Sequence, residues 1–389
     1  MTQHLSNASA QTRRVELSTG VIEVDVHEAL MPLDELCGFA ARRNPKRGFL
    51  FVSKVLGKHI PVRPSLMLAV HEQLAGQVPV DLPGPIVVVG MAETATCLGQ
   101  GVFEAFKRMS GRDDVVFIHS TRYNLDRAKV LEFKEEHCHA ADHIMYLPEM
   151  PLDAQMFKQA RSIVLVDDEA STGKTFVNLT QAFKQAIPSI ERAVTAVITD
   201  WRGPERTNAT HQAMPVPCIG VAMLKGEYRF QPSPNLAAME MPKATGNGAN
   251  KDRLLPRNHG RLGTSGLFEL PPSVKVFAES GLRRFGGAPV LVLGTGEFSF
   301  PPFRLALHME EMGMDVSFQT TTRSPIIPMP GTAILSAMEF GDNYDDGIAN
   351  YVYNVTPGMY AGVVIAHETP TRSIDRVLTA ELEAFCVEI

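Results

Sequence analysis

The chain has 389 residues, of which 44% are hydrophobic and 21% charged, and this composition indicates a globular protein of about two domains. A formal net charge of −6 argues against general binding to nucleic acid. No apolar run approaches the ~20 residues needed to cross a membrane. The five cysteines form no Cys-x-x-Cys pair and the N-terminus has no apolar core, so we expect a reduced, cytoplasmic protein.

Short apolar strands alternate with helical patterns along most of the sequence, which predicts an α/β fold with mainly parallel sheets flanked by helices. We divide the chain into a polar tail (1–25), a first domain (26–235), a linker rich in Gly, Pro and Asn (236–266) and a second, smaller domain (267–389). The spacing of apolar residues also predicts a helix over 29–44.

A basic segment follows at 44–64, where an apolar strand (49–52) is surrounded by positive charge. These side chains form either a solvated face or a wall for pyrophosphate or an acidic substrate, and the sequence leaves both open. They are Lys46, Arg47, Lys54, Lys58, His59 and Arg63.

Two further strand ends carry candidate residues. A buried strand at 86–90 runs into the loop Gly90-Met91-Ala92-Glu93-Thr94, and a strand from 115 ends in Ser120-Thr121-Arg122. Ligands of open α/β sheets bind at the carboxyl ends of strands, so both ends are expected at the site.

A cluster of possible metal ligands lies just beyond these strands, comprising His137, Cys138, His139 and His143. Its spacing matches no familiar zinc site. A structural metal, a role in substrate contact or in a lid, and a solvated loop are the three interpretations.

The most informative stretch is RSIVLVDDEASTGKT (161–175). Its apolar run predicts a buried strand, and Phe176, Leu179 and Phe183 predict a helix immediately after it. The loop between them offers backbone N–H groups, the positive end of a helix dipole and the hydroxyls of Ser171, Thr172 and Thr175, all of which suit a phosphate.

The acids at the end of this strand need a different partner, because carboxylates repel phosphate. Asp167 and Asp168 suit ribose hydroxyls or Mg²⁺, so a sugar with a 5′-phosphate and free 2′ and 3′ hydroxyls satisfies both ends of the motif. A Walker-type nucleotide loop would require a glycine at position 168, where Asp168 stands. An ordinary capped strand–loop–helix turn is the other alternative.

Later positions are more ambiguous. Trp201 stands at the carboxyl end of a predicted strand at 193–201 and could stack on a base or belong to the core. Arg253, Arg257 and Arg261 lie in the linker and could face an anion.

The second domain repeats the pattern of the first. IVVVGMAET (86–94) is echoed by VLVLGTGEF (290–298), and Ser120-Thr121-Arg122 by Thr321-Thr322-Arg323. GVVIAHETPTR (362–372) stands in the place of the 161–175 motif with His367-Glu368 instead of the Asp pair. The sequence therefore predicts a degenerate second copy, in which Arg323 is the residue best suited to contact a phosphate or carboxylate.

VLVDDEASTGKT resembles the phosphoribosyl pyrophosphate (PRPP) motif of type I phosphoribosyltransferases: four hydrophobic residues, two acids and a small-residue loop with T-G-x-T. Thr322-Arg323-Ser324-Pro325 spells TRSP. The whole chain is thus similar to the bacterial family in which a phosphoribosyltransferase domain is fused to a C-terminal TRSP domain. Genes of that family occur with tellurite-resistance clusters and are thought to serve biosynthesis of a nucleoside-like metabolite.

The resemblance implies a type I phosphoribosyltransferase-like sheet that uses Mg²⁺, PRPP and an unidentified nitrogenous acceptor, and a homodimer is expected. It implies that Gly90 to Thr94 form the pyrophosphate loop and that a mobile loop covers the reacting centre. The residues expected to bind the 5′-phosphate and ribose are Asp167, Asp168, Glu169, Ala170, Ser171, Thr172, Gly173, Lys174 and Thr175.

Three of the expected site residues have a catalytic role in this scheme: Asp167, Asp168 and Arg122. Mg²⁺ would bind mainly through PRPP and partly through the two aspartates. Trp201, His137 and Arg323 are the candidates for contacts to the base or substrate. The alternative function is a PRPP- or nucleotide-sensing regulatory or scaffold protein without turnover.

Overall fold

The computed structural model describes residues 11–45, 47–133, 143–234, 246 and 248–389. Its first half comprises β1 Gln11–Leu17, β2 Gly20–Ala29, α1 Leu33–Leu36, β3 Cys37–Arg42, β4 Phe49–Ser53, α2 Pro64–Ala75, β5 Ile86–Gly90, α3 Thr96–Ser110, β6 Val115–His119, β7 Lys129–Phe133, β8 His143–Tyr146, α4 Pro151–Lys158, β9 Ser162–Ala170, α5 Lys174–Ala186, β10 Arg192–Asp200, α6 Gly203–Ala213 and β11 Cys218–Pro232.

The second half comprises α7 Pro272–Phe285, β12 Val290–Gly294, α8 Phe300–Glu311, β13 Val316–Thr320, β14 Ile326–Ile327, β15 Ala337–Gly341, β16 Ala349–Tyr353, β17 Gly362–His367, α9 Arg376–Glu381 and β18 Phe385–Glu388. In the part of the chain that is described, no helix combines the length and the apolar character needed to span a bilayer.

The main sheet has seven strands in the order β1-β2-β11-β10-β9-β5-β6. The five strands from β11 to β6 are parallel, and β2 and β1 extend the sheet in antiparallel fashion. Every residue of β5 and β6 is buried, as expected for parallel strands covered on both faces. The carboxyl ends of β5, β6, β9 and β10 therefore lie along one edge, where the predicted motifs follow them.

The second half contains a parallel sheet with the order β13-β12-β17-β18. This order repeats β6-β5-β9-β10 of the first sheet, and each half inserts a two-stranded hairpin, β7-β8 or β15-β16, before its third strand. The predicted repeat is confirmed by this shared topology.

Individual hydrogen bonds recur at equivalent places in the two halves, which shows that the repeat extends to the loops. The matched pairs are Ser120 N–Gly90 O and Thr321 N–Gly294 O (both 3.0 Å), Ala92 N–Ser120 Oγ and Gly296 N–Thr321 Oγ1 (both 2.9 Å), Tyr123 N–Thr121 Oγ1 and Ser324 N–Thr322 Oγ1 (both 3.2 Å), and Leu125 N–Tyr146 Oη (2.7 Å) and Ile326 N–Tyr353 Oη (2.9 Å).

A third sheet, β14-β3-β4, joins the halves, because β14 of the second half pairs with β3 of the first. The prediction of a helix over 29–44 is therefore wrong: only Leu33–Leu36 are helical. Tertiary pairing overrides the local helical spacing here. Gly38 lies so close to the second half that a Cβ atom on it would be 2.6 Å from that of Ala333.

Two other segments differ from the sequence-based division. Residues 11–25 were expected in a polar tail but form β1 and the start of β2, whose charged side chains suit an exposed edge strand. The described part of the expected linker packs between the halves. There Leu255 and Leu262 are buried, and Thr264 pairs with Phe117 of β6.

Candidate active site

The predicted strand–loop–helix unit is formed by β9 and α5 at the carboxyl edge of the main sheet. The apolar part of β9 is fully buried, whereas Asp167 and Asp168 at its end are partly exposed. Thr172 and Lys174 in the following loop are exposed. The unit thus presents two carboxylates and a polar loop to solvent, immediately before the N-terminus of a 13-residue helix.

Gly173 fixes the shape of this loop. It caps α5 with φ of 78° and ψ of −6°, a left-handed conformation that glycine adopts without steric cost. A Cβ atom at this position would lie 2.4 Å from Oγ1 of Thr210. The close approach of the loop to α6 therefore requires glycine on two grounds.

The three acids at the end of β9 have different surroundings. Asp168 accepts a 2.9 Å hydrogen bond from Oγ1 of Thr94, and Asp167 accepts one of 2.9 Å from the Asp168 N–H. Glu169 pairs with Arg47 at 2.5 Å. Burial raises the pKa of Glu169, against the opposing effect of Arg47. Of the three acids, Asp168 is the one bonded to Thr94 of the loop that follows β5.

The loop Gly90 to Thr94 is anchored from inside the sheet. The Met91 N–H donates to the Val166 carbonyl (3.1 Å), and the Ala92 N–H donates to Oγ of Ser120 (2.9 Å). Met91 and Ala92 are buried, whereas Glu93 and Thr94 are partly exposed. Through the Thr94–Asp168 hydrogen bond this loop is joined to the β9 motif.

Glu93, the unusual acid of this loop, is held by two cations. Its carboxylate lies 2.7 Å from Nζ of Lys58 and 3.6 Å from Nε of Arg323 in the second half. Burial alone would raise the pKa of Glu93, but the two positive charges outweigh it and lower the pKa to about 2. Glu93 is therefore ionised and its charge is compensated before any ligand binds.

Arg122 lies at the end of β6 beside the second half. Its backbone N–H donates to Glu297 (2.8 Å), and the neighbouring Thr121 hydroxyl donates to the same carboxylate (2.5 Å). The side-chain Nε of Arg122 is buried and has no hydrogen-bond partner among the residues that the structure describes. The positive charge of Arg122 acts on Glu93 and helps to lower the pKa of that carboxyl.

The histidine cluster falls mostly outside the described residues, which include His143 but not His137, Cys138 or His139. His143 is buried and its Nδ1 lies 3.0 Å from Oγ of Ser120. Burial lowers the pKa of His143 to about 3, so this side chain is neutral at physiological pH.

Trp201 is fully buried and stacks on Phe51, with ring centroids 4.7 Å apart and an interplanar angle of 16°. This placement makes it a core aromatic between the main sheet and β4, and its faces are not turned to the open edge. Of the basic segment, Arg47 pairs with Glu169 and Lys58 with Glu93, so these two side chains contact the site motifs rather than forming a solvated face. Lys46 lies outside the described residues.

The corresponding edge of the second sheet is closed. In the register of the two sheets, Glu368 takes the place of Asp168, and it forms a bidentate ion pair with Arg261 at 2.7 Å for each hydrogen bond. Tyr344 donates a further 3.1 Å hydrogen bond to Glu368. In the second half, the carboxylate of Glu368 is therefore fully paired with residues of the chain itself.

Sequence reasoning did not anticipate three of these partners: Lys58 for Glu93, Arg261 for Glu368, and Glu297 for the end of β6. The sequence repeat could have pointed to Glu297 and Arg323 as site residues, because it places Glu297 at the position of Glu93 and Arg323 at that of Arg122. Arg261 had no such signal, since it lies in a segment without regular secondary structure.

A family described as phosphoribosyl transferase matches residues 36–227, and one described as the TRSP domain C-terminal to that phosphoribosyl transferase matches residues 260–382. Together with the sheet order and the β9 motif, these matches define a phosphoribosyltransferase, a transferase of pentosyl groups. The chain belongs to the family in which such a domain is fused to a C-terminal TRSP domain.

Solved phosphoribosyltransferases show a distant likeness to part of the chain. Adenine phosphoribosyltransferase of Trypanosoma brucei is 13% identical, with 51% of this chain and 82% of that chain covered and a TM-score of 0.34. Adenine phosphoribosyltransferase of Rhodothermus marinus is 16% identical, with 49% of this chain and 96% of that chain covered and a TM-score of 0.29. Orotate phosphoribosyltransferase of Aeropyrum pernix is 14% identical, with 45% of this chain and 79% of that chain covered and a TM-score of 0.26. Likeness of this degree does not identify a substrate. No match was found among curated proteins.

Proposed function

We propose that the protein transfers the 5-phosphoribosyl group of PRPP to a nitrogen of a base-like acceptor, releasing pyrophosphate. The observation that carries this proposal is the hydrogen bond between Thr94 and Asp168, which joins the two loops at one open edge. Three features lie at this edge: the carboxylates at the end of β9, the exposed loop before α5, and the loop from Gly90 to Thr94. PRPP needs partners for its ribose hydroxyls, its 5′-phosphate and its diphosphate, and these features offer one for each.

Each part of the substrate has a partner in this proposal. The N–H groups and hydroxyls from Ala170 to Thr175, at the N-terminus of α5, hold the 5′-phosphate. Asp167 and Asp168 accept from the 2′ and 3′ hydroxyls. Gly90 to Thr94 contact the diphosphate, and Arg122 supplies positive charge to it.

The bond from C1 of the ribose to the diphosphate oxygen breaks, and a bond from C1 to the acceptor nitrogen forms, while the proton of that nitrogen passes to water. Oriented donors stabilise the negative charge that develops on the leaving diphosphate, so the chain contributes mainly by positioning and electrostatics. A covalent intermediate is not required.

Mg²⁺ bound with PRPP would supply positive charge that neutralises the leaving group. Mg²⁺ prefers the oxygen atoms of carboxylates, phosphates and water, and the site offers carboxylates. Asp167 and Asp168 fit as direct or water-mediated ligands. The described ranges contain no group of three or more His, Cys, Asp or Glu side chains that could hold a metal, so the diphosphate and water would provide the remaining ligands.

Titration calorimetry with Mg²⁺-PRPP tests this proposal. The wild type should bind, and the double variant Asp167→Asn/Asp168→Asn should not. Asp113→Asn/Asp114→Asn is the matched control, because it removes the charge of another adjacent acid pair that precedes β6 at the opposite edge of the sheet. Absence of binding by folded wild type would refute the proposal.

A screen for pyrophosphate release with nitrogenous bases then separates transfer from sensing. Turnover with one base supports the enzyme, whose product we place in cytoplasmic, nucleoside-like metabolism. Binding without turnover for any base favours the regulatory alternative. The expected homodimer stays a prediction.

A further inference from the structure

The two halves contact each other through a reciprocal exchange of equivalent residues. Glu93 of the first half pairs with Arg323 of the second, at 3.6 Å. Glu297, the counterpart of Glu93, accepts hydrogen bonds from Thr121 and from the N–H of Arg122, the counterpart of Arg323. Each loop glutamate is thus bound by the other half's strand end.

Such an exchange is the pattern of a two-fold interface, in which residue i contacts j and j contacts i. One further contact agrees with it: the equivalent helices α3 and α8 pack against each other. The halves are therefore arranged as two copies of one unit related by a pseudo-two-fold axis.

The symmetry is broken at the two arginines. Arg323 is 9% exposed and donates to the Tyr123 hydroxyl (3.0 Å), in addition to its contact with Glu93. Arg122 contacts Glu297 only through its backbone, and its Nε lacks a hydrogen-bond partner in the described part of the chain. Arg323 is thus held by the interface through its side chain, whereas Arg122 is held through its backbone.

Lys58, the second cation on Glu93, also depends on the second half. Its Nζ donates to the Gly296 carbonyl at 3.0 Å, and its side chain is 3% exposed. Without the second half, Lys58 would lose this acceptor and Glu93 would lose Arg323. The charge balance of the Gly90 to Thr94 loop is therefore set from across the interface.

We propose that the C-terminal half is a built-in partner subunit that fixes the pyrophosphate loop, with Arg323 acting as a positioning residue through Glu93. This inference rests on the proposed function, because it assigns the loop to the diphosphate. Arg323 itself need not touch the substrate. Its removal breaks the contact that holds Glu93 to the second half, which should loosen the loop and weaken its hold on the diphosphate.

The test compares three ligands by calorimetry: Mg²⁺-PRPP, Mg²⁺-pyrophosphate and ribose 5-phosphate. Arg323→Gln should weaken binding of the two diphosphates by about tenfold and leave ribose 5-phosphate within about twofold, because the 5′-phosphate loop lies on a different strand. General misfolding would weaken all three. Arg323→Lys should recover part of the loss, and Arg283→Gln, an exposed arginine of α7, should change nothing.

Glu93→Gln provides an independent variant if Arg323→Gln fails to fold, and it should show the same ligand dependence. The double variant should be no weaker than the worse single variant, because both substitutions act on one contact. If folded Arg323→Gln or Glu93→Gln binds the diphosphates as tightly as the wild type, this inference is overturned and the proposed function stands. Failure of wild type to bind Mg²⁺-PRPP overturns the proposed function and this inference with it.

Discussion

Arg261 and Glu368 form an ion pair with two hydrogen bonds of 2.7 Å, and each side chain is only 1% exposed. Because Glu368 stands where the first half has Asp168, the pair closes the ligand edge of the second sheet. Arg261→Met should leave a buried, unpaired carboxylate and lower the free energy of unfolding by about 3–5 kcal/mol. Urea denaturation followed by circular dichroism measures the change.

Arg161 and Glu191 provide the control, since they are also 2.7 Å apart but 51% and 44% exposed. Arg161→Met should cost less than about 1 kcal/mol. Arg261→Met/Glu368→Leu should recover much of the single variant's loss, because the uncompensated charge is removed. Equal costs at the two pairs would contradict this account.

Gly173→Ala should disturb the loop before α5 in two ways, through its positive φ and through contact with Thr210. Gly111→Ala is a matched control, because Gly111 has φ of 67° but nothing within 4 Å of a Cβ atom. In the control, backbone strain alone should lower the free energy of unfolding by about 1–2 kcal/mol. Gly173→Ala should lose more and should also weaken ribose 5-phosphate binding, as measured by denaturation and calorimetry. Similar losses for both variants would remove the steric argument.

Thr94→Val should weaken Mg²⁺-PRPP binding by about threefold to tenfold, because it deletes the hydrogen bond that joins the two loops at Asp168. Thr12→Val deletes another Thr–Asp hydrogen bond, of 2.7 Å to Asp25 on the edge strands, and should not affect binding. Calorimetry with Mg²⁺-PRPP measures the affinity of both variants. If Thr94→Val binds as tightly as Thr12→Val, the hydrogen bond from Thr94 does not organise the site.

His71 should make stability depend on pH. It is buried against Phe303, and burial lowers its pKa from 6.5 to about 3. Between these values the unfolded chain binds one proton more than the folded chain at this position. The stability that depends on neutral His71 is therefore complete above pH 6.5 and falls as the pH decreases, by about 1.4 kcal/mol per pH unit.

Unfolding of His71→Gln between pH 6 and pH 4 checks this expectation, because this variant should lose less stability on acidification than the wild type. His27→Gln, which alters an exposed histidine of β2, should follow the wild type. Parallel curves for wild type and His71→Gln would show that His71 does not bind a proton on unfolding.

The sequence was sufficient for the features that depend on local pattern. The apolar run and acid pair of β9 predicted its strand, its loop and the helix beyond Gly173, and the echo between Gly90 and Gly294 predicted the second sheet. These strands are buried on two faces and are therefore almost entirely apolar, so their composition alone is enough to predict them.

What the sequence could not supply was pairing over long separations. Residues 37–42 have helical spacing, yet form β3 because β4 and β14 provide partners that are distant in the chain. The sequence leaves Trp201 open between base contact and core, and only the position of Phe51 accounts for its stacking. An acid such as Glu93 suits a diphosphate loop only when cations neutralise it, and the sequence does not place Lys58 and Arg323 beside it.

The covalent link between the halves has a consequence for behaviour on dilution. In an assembly of separate subunits, the contact between Glu93 and Arg323 would be lost below the dissociation constant of the assembly. Here the effective concentration of one half around the other is fixed by the chain itself, on the order of millimolar or more. The loop from Gly90 to Thr94 should therefore remain organised on dilution, and affinity for Mg²⁺-PRPP should be the same in nanomolar and in micromolar solutions of the chain.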